Sequence, residues 1–153
     1  GGGPLFDIGC YAILSGCMLF KGEPEVLSAV ATMCDQYETE KQVDAILRWP
    51  DGETLSFTVS ADAALCQSLT VLGSNGWAKL NVPVNPPEKT SAYWSNGGLQ
   101  KGSKVEFPAC NHYQLMVEEF VARSESGEKS DFIFSKIITK AINEIQKIAG
   151  LTI

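Results

Sequence analysis

Gly1-Gly2-Gly3-Pro4-Leu5-Phe6-Asp7-Ile8-Gly9-Cys10-Tyr11-Ala12-Ile13 opens the chain. Three glycines free the backbone from the usual φ limits. Pro4 then pre-sets a helical φ at a first-turn position, where its missing N–H costs nothing. The helix this predicts runs to about Phe20 and is apolar on nearly every side, which predicts burial all round. Asp7 is the only charged side chain before Lys21. A lone carboxylate on a buried helix is costly unless it is paired or borders a wet cleft. Tyr11 follows four residues later, so the two polar groups share one strip, and a carboxylate beside a phenol can handle a proton. The same spacing also suits a structural role. An acid in the first turn complements the helix dipole, and a core tyrosine needs only a partner for its hydroxyl.

Beyond this helix, Gly22 and Pro24 stop it where both residues are expected. Val26 to Asp35 is short-side-chained and partly β-branched, which predicts a strand buried on both faces. Tyr37-Glu38-Thr39-Glu40-Lys41 reads as a charged connection. Val43, Ala45, Leu47 and Trp49 alternate with polar residues, turn at Pro50-Asp51-Gly52, and are answered by Leu55, Phe57 and Val59, a hairpin with one apolar face. A second hairpin is expected around Gly73-Ser74-Asn75-Gly76, whose Asn-Gly pair favours a tight turn. Short strands follow at Ala92-Tyr93-Trp94 and Val105-Glu106-Phe107, parted by Asn96-Gly97-Gly98. Asn111 is a good N-cap for a helix carrying Tyr113, Met116, Val117 and Phe120. A last helix, about Phe132 to Ala149, places Ile133, Ile137, Ile138, Ala141, Ile145 and Ile148 on one stripe before Gly150. Helix, a run of strands and two helices make an α+β fold with an open, mostly antiparallel β-sheet and helices packed on one face.

Composition narrows the function. The 153 residues suit one domain with a real core. A hydrophobic content of 44% with 20% charged residues is that of a globular chain. A net charge of −6 and a pI near 4.8 argue against nucleic-acid and anionic-membrane partners. No apolar run approaches a membrane span. Cys10, Cys17, Cys34, Cys66 and Cys110 form no Cys-x-x-Cys pair, which reads as reduced thiols in a cytoplasmic protein. With one histidine, a zinc site is not expected. Cys110 and His112 stand two apart, a spacing that does not face a thiol to a base on a helix. Trp49, Trp77 and Trp94 could stack on a sugar or simply fill strand faces. No strand feeds the opening glycines, so they make no dinucleotide cradle.

The opening segment resembles the G-G-G-x-L-x-D-x-G-x-H/Y motif that begins the second domain of the Gfo/Idh/MocA family of NAD(P)-dependent oxidoreductases. Phe20-Lys21-Gly22-Glu23-Pro24, Trp49-Pro50-Asp51-Gly52, Leu72-Gly73-Ser74-Asn75-Gly76 and Asn111-His112-Tyr113 continue the likeness in order over most of the chain. The resemblance implies a single C-terminal substrate-binding and dimerisation domain over residues 1–153. It also implies an upstream dinucleotide domain, outside this sequence, that contributes most of the NAD or NADP site and a catalytic lysine. The substrate would be a small molecule with a CH–OH group, on a sugar, polyol or related diol. Asp7 matches the aspartate that contacts substrate and orients the lysine. Tyr11 matches the acid/base position, which is histidine in many members and tyrosine in the glucose–fructose oxidoreductase and dihydrodiol dehydrogenase types. The resemblance further implies a homodimer, or a dimer of dimers, through the sheet. A non-enzymatic assembly or regulatory domain of the same fold is the alternative. Because no strand–glycine loop–helix unit is present, these 153 residues alone should bind neither NAD nor NADP. Calorimetric titration checks this, and micromolar binding would overturn the domain assignment.

Overall fold

Strand side chains alternate faces, so an apolar residue at every second position builds one apolar face. In β2 (Glu40–Arg48), Val43, Ala45 and Leu47 form such a row and are buried, and Trp49 extends it just past the strand. β3 (Thr54–Ser60) returns antiparallel, placing Val59, Phe57 and Leu55 opposite Val43, Ala45 and Leu47. The turn closes through Trp49 N–H to the Glu53 carbonyl (2.8 Å) and Gly52 N–H to the Trp49 carbonyl (3.0 Å). Gly52 sits there at φ 97°, a region glycine adopts freely. β1 (Glu25–Met33) pairs with the other edge of β2, giving an antiparallel sheet in the order β1-β2-β3.

The structure is a computed structural model that describes residues 2–97, 102–129 and 131–151. It divides into two compact units, Gly1–Ala63 with Asp131–Ile153, and Ala64–Ser130. In the first unit, a π-helical turn (Leu5–Gly9) runs straight into α1 (Cys10–Leu19), and α3 (Ile133–Ile148) packs beside it. Both lie on the apolar face of the sheet. Leu5, Ile13, Ile142 and Ile145 join Val43, Leu47 and Trp49 in one core. Each such side chain contributes about 1.5–3 kcal/mol by leaving water.

The expected hairpin of this unit is present, but three expectations need correction. The opening helix, the π-helical turn with α1, is not buried all round: Phe6, Asp7, Tyr11, Met18 and Leu19 are exposed, while Leu5, Gly9, Ile13, Gly16 and Cys17 face the core. β1 is not buried on both faces either. Its buried residues are Val26 and Ala29, three apart, because Val26 pairs with Leu47 and Ser28 with Ile46, so Leu27 is an extra residue that breaks the alternation. The stripe on α3 is buried at Ile137, Ala141 and Ile145, with Ile142 added, whereas Ile133 and Ile148 at its ends are exposed.

The opposite face of the β1-β2-β3 sheet is mixed. Ser28, Val30, Asp44, Ile46, Ser56 and Thr58 line a shallow depression there. Asp44 accepts from Thr58 Oγ1 at 2.5 Å and from Gln42 Nε2 at 2.9 Å. These two donors, Thr58 first, hold the Asp44 carboxyl below its ordinary pKa despite slight burial.

The second unit has its own antiparallel sheet, β4 (Ser68–Gly73), β5 (Gly76–Asn81), β6 (Ser91–Ser95) and β7 (Ser103–Glu106), in that order. The strands therefore fall into two antiparallel sheets within an α+β fold. Gly73 pairs with Gly76, so the turn is centred on Ser74-Asn75, not on the Asn-Gly pair, and neither central residue has a positive φ. Gly76 is required for another reason, since a Cβ there would run into the Ser95 carbonyl of the neighbouring strand. Gly98 lies outside the described residues. α2 (His112–Ser126) is capped as expected, with Asn111 Oδ1 accepting from Tyr113 N–H (3.1 Å) and Gln114 N–H (3.2 Å). Its apolar residues Tyr113, Met116, Val117 and Phe120 are exposed.

Gly16 sets how closely α1 can approach the sheet, since a Cβ at that position would overlap the Trp49 indole. Phe20 completes the contact edge-on, with ring centroids 5.2 Å apart. Gly16→Ala should destabilise the fold by about 1–3 kcal/mol from overpacking, although alanine is intrinsically the better helix former. Denaturant unfolding checks this. In a Trp49→Phe background, where the ring is smaller, the added loss should shrink.

Candidate active site

The face of the opening helix that points away from the sheet carries the only candidate chemistry that the described residues assemble in one place. Leu5 is fully buried. Gly9 behind it has no Cβ, and one placed there would touch Leu5 Cδ1 at 3.0 Å and Phe57 and Val59 at 3.7 Å. Ile13, Gly16 and Cys17 continue the inward face. With that face locked into the core, Asp7 and Tyr11 can only point outward, one turn apart, and both are exposed.

Neither functional group is occupied by the fold. The Asp7 carboxylate and the Tyr11 hydroxyl have no hydrogen-bond or ion-pair partner among the described residues. Only their main-chain carbonyls are used, Asp7 O by the Cys10 thiol (3.7 Å) and Tyr11 O by Ser15 Oγ (2.9 Å). Burial pushes the Cys10 thiol above its usual pKa and the Asp7 charge adds to this, so that sulfur stays protonated. Burial raises Cys17 likewise. The strip thus offers an acid and a phenol, both free to meet a ligand, and no thiolate.

The other candidates separate. Trp49 is sealed in the core and unavailable to a ligand, whereas Trp94 is exposed. His112 stacks on Tyr113 (ring centroids 4.2 Å apart), and no hydrogen bond joins it to the exposed Cys110. One residue near the site escaped the sequence reading. Glu40, taken as part of a charged connection, is the first residue of β2 and only 8% exposed. Its Oε1 accepts from Leu5 N–H at 3.2 Å. Thr32 pairs with Gln42 and Met33 with Glu40, so Lys41 is an extra residue that turns Glu40 toward the interior. Period-two alternation carried back from Trp49 points Glu40 outward, so no sequence signal marked it.

The sequence profile of the GFO/IDH/MocA C-terminal domain matches residues 1–79. An uncharacterized oxidoreductase, ORF334 of Rhizobium meliloti, is 30% identical over 97% of this chain and 47% of its own length. The trans-1,2-dihydrobenzene-1,2-diol dehydrogenase of Oryctolagus cuniculus is 38% identical over 99% of this chain and 48% of its own. Among solved structures, KijD10, a 3-ketoreductase from Actinomadura kijaniata in complex with NADP and TDP-benzene, superposes with a TM-score of 0.84 at 20% identity, covering 97% of this chain and 46% of that one. That last likeness concerns the fold. The chain belongs to the GFO/IDH/MocA C-terminal domain family, and it spans about half the length of the curated relatives it matches.

Since Asp7 and Tyr11 hold nothing in the fold together, Asp7→Asn and Tyr11→Phe should each shift stability by no more than about 0.5 kcal/mol. Leu5→Ala, from the opposite face, should cost about 2–5 kcal/mol. Thermal and denaturant melts of the three variants check this contrast.

Proposed function

We propose that this chain is the substrate-binding and dimerisation domain of an NAD(P)-dependent oxidoreductase acting on a CH–OH group of a sugar, polyol or related diol. The observation that carries the reading is the outward strip of the opening helix, where a carboxylate and a phenol without a partner among the described residues are presented from a helix whose other face is fixed. The family membership, the dihydrodiol dehydrogenase relative and the NADP-bound neighbour of the same fold support it. The described strands pair only antiparallel, so no strand–loop–helix phosphate cradle lies among them. The dinucleotide would therefore be gripped chiefly by a domain outside this chain, which in the family also supplies the lysine, and these 153 residues would be inactive alone.

A nicotinamide, when bound, would supply or accept the hydride. The work left to this chain is the proton. A carbinol oxygen must lose its proton as the carbon is oxidised and regain it in reduction, and the group that handles it must come within hydrogen-bond reach. Tyr11 takes that role through its hydroxyl. Asp7, one turn earlier, accepts a hydrogen bond from a second substrate hydroxyl and orients the cationic lysine arriving from the other side. A neighbouring domain covering the exposed Phe6, Met18 and Leu19 would exclude water from the reacting oxygen. For assembly, the outer face of β1-β2-β3, with Val30 and Ile46 exposed beside the Asp44–Thr58 pair, is the surface across which two copies would meet in a two-fold contact. Reduced thiols and an acidic surface suit the cytoplasm.

In the full-length enzyme, Tyr11→Phe keeps the ring and removes only the hydroxyl. Turnover should fall about 10²–10⁴-fold with a smaller change in substrate KM, and Asp7→Asn should impair both. Steady-state kinetics decide it, and turnover within a few-fold of wild type would assign the proton to the lysine or to water. Sedimentation should find a dimer, or a pair of dimers, at high micromolar concentration. A clean monomer would count against the sheet contact.

A further inference from the structure

The first turn of a helix leaves N–H groups without intrahelical partners. At this helix they can be accounted for one by one. Pro4 has none, and Phe6 and Asp7 donate to the Gly3 carbonyl at 3.2 and 3.3 Å. Leu5 N–H remains, and no side chain at the local cap position takes it. Its acceptor comes from 35 residues away, in the carboxylate of Glu40. Glu40 is the buried charged residue among those described, and no lysine, arginine or histidine among them pairs with it; its neighbour Lys41 reaches Asp62 instead. Burying an unpaired carboxylate is costly, and what offsets it here is the Leu5 amide on Oε1, the Thr39 hydroxyl donating to Oε2 at 3.4 Å, and the positive end of the helix dipole.

Gly3 fits the same picture. It has no positive φ, so its backbone does not require glycine. A Cβ there would instead collide with the Glu40 carboxyl group. The glycine is the space into which the carboxylate fits, directly before the π-helical turn that carries Asp7. Local departures of this kind, a bulge at Lys41 and a π turn at Leu5–Gly9, meet at one point of the fold.

We infer that Glu40 is a positioning residue for the proposed active site: its buried carboxylate, seated on Gly3 and bonded to Leu5 N–H, sets the pitch of the first turn and thereby the direction of Asp7 relative to Tyr11. This rests on the reading of Asp7 and Tyr11 given above. Glu40 does not touch substrate. It acts through the turn.

The test uses the full-length enzyme with Glu40→Ala, Glu40→Gln and Gly3→Ala, each also combined with Tyr11→Phe, and two readouts. By hydrogen exchange, the Leu5 amide should lose protection in Glu40→Ala and Gly3→Ala and keep it in Glu40→Gln, whose amide oxygen still accepts. By kinetics, Glu40→Ala and Gly3→Ala should lower turnover by up to about 10²-fold, the scale of a 1 Å misplacement, while Glu40→Gln stays within a few-fold. In the Tyr11→Phe background the further loss should be much smaller, because the hydroxyl against which Asp7 is set is gone. Gly3→Ala keeps the glutamate but displaces its carboxylate from the Leu5 amide, so the inference remains testable if Glu40→Ala folds poorly. Unchanged Leu5 protection in both alanine variants would overturn the inference outright. So would equal losses in the alanine and glutamine variants, or losses that add fully to Tyr11→Phe. If Tyr11→Phe alone keeps wild-type turnover, the proton-handling role proposed for Tyr11 fails instead, and the exchange data still decide whether Glu40 holds the turn.

Discussion

The contact between Gly16 and the Trp49 indole governs the first unit. A bare glycine lets the helix settle onto a large flat ring, and Phe20 closes the side of that ring. Trp49 is so fully enclosed that its Nε1 has no hydrogen-bond partner among the described residues. Leaving such a donor unpaired costs about 1–3 kcal/mol, so the surrounding packing must more than offset it. The consequence is rotational. With Gly16, Ile13, Gly9 and Leu5 turned inward, the helix has no freedom to present any other strip to the outside than the one bearing Asp7, Tyr11 and Met18.

The two ends of that helix are held by different physics. At its C-terminal end the anchor is apolar and depends on shape, a ring against a backbone. At its N-terminal end the anchor is polar and depends on charge, a carboxylate from β2 against an otherwise orphaned amide. Both anchors come from the same strand and its extension, nine residues apart in sequence, so β2 works as a rail along which the helix is fixed at two points. A site built this way needs few contacts of its own. Asp7 and Tyr11 can remain without a partner among the described residues because their backbone is already determined.

Much of this frame was legible from residue order. Period-two alternation from Val43 to Trp49 and from Leu55 to Val59 located the central hairpin and its buried face, and Asn111 marked the start of α2 through its two cap bonds. Asp7 and Tyr11 were legible as a pair because helical spacing puts them on one strip. What could not be read were the extra residues Leu27 and Lys41, since a bulge depends on pairing between strands and leaves no mark on either alone. Those two slips hid the real burial of β1 and the inward turn of Glu40. The exposure of the outer side of the opening helix was missed for another reason. Apolar residues such as Phe6 and Met18 do not say which neighbour covers them, and here no described residue of the unit does.

The central claim is that the outward strip of the opening helix is the wall of a catalytic cleft. A crystal structure of the full-length protein with dinucleotide and a diol or sugar substrate tests it most directly. The account predicts the Tyr11 hydroxyl within about 2.6–3.2 Å of the reacting oxygen, Asp7 on the same substrate, and Glu40 still bonded to the Leu5 amide. A substrate bound elsewhere, with Asp7 and Tyr11 left facing solvent, would contradict it.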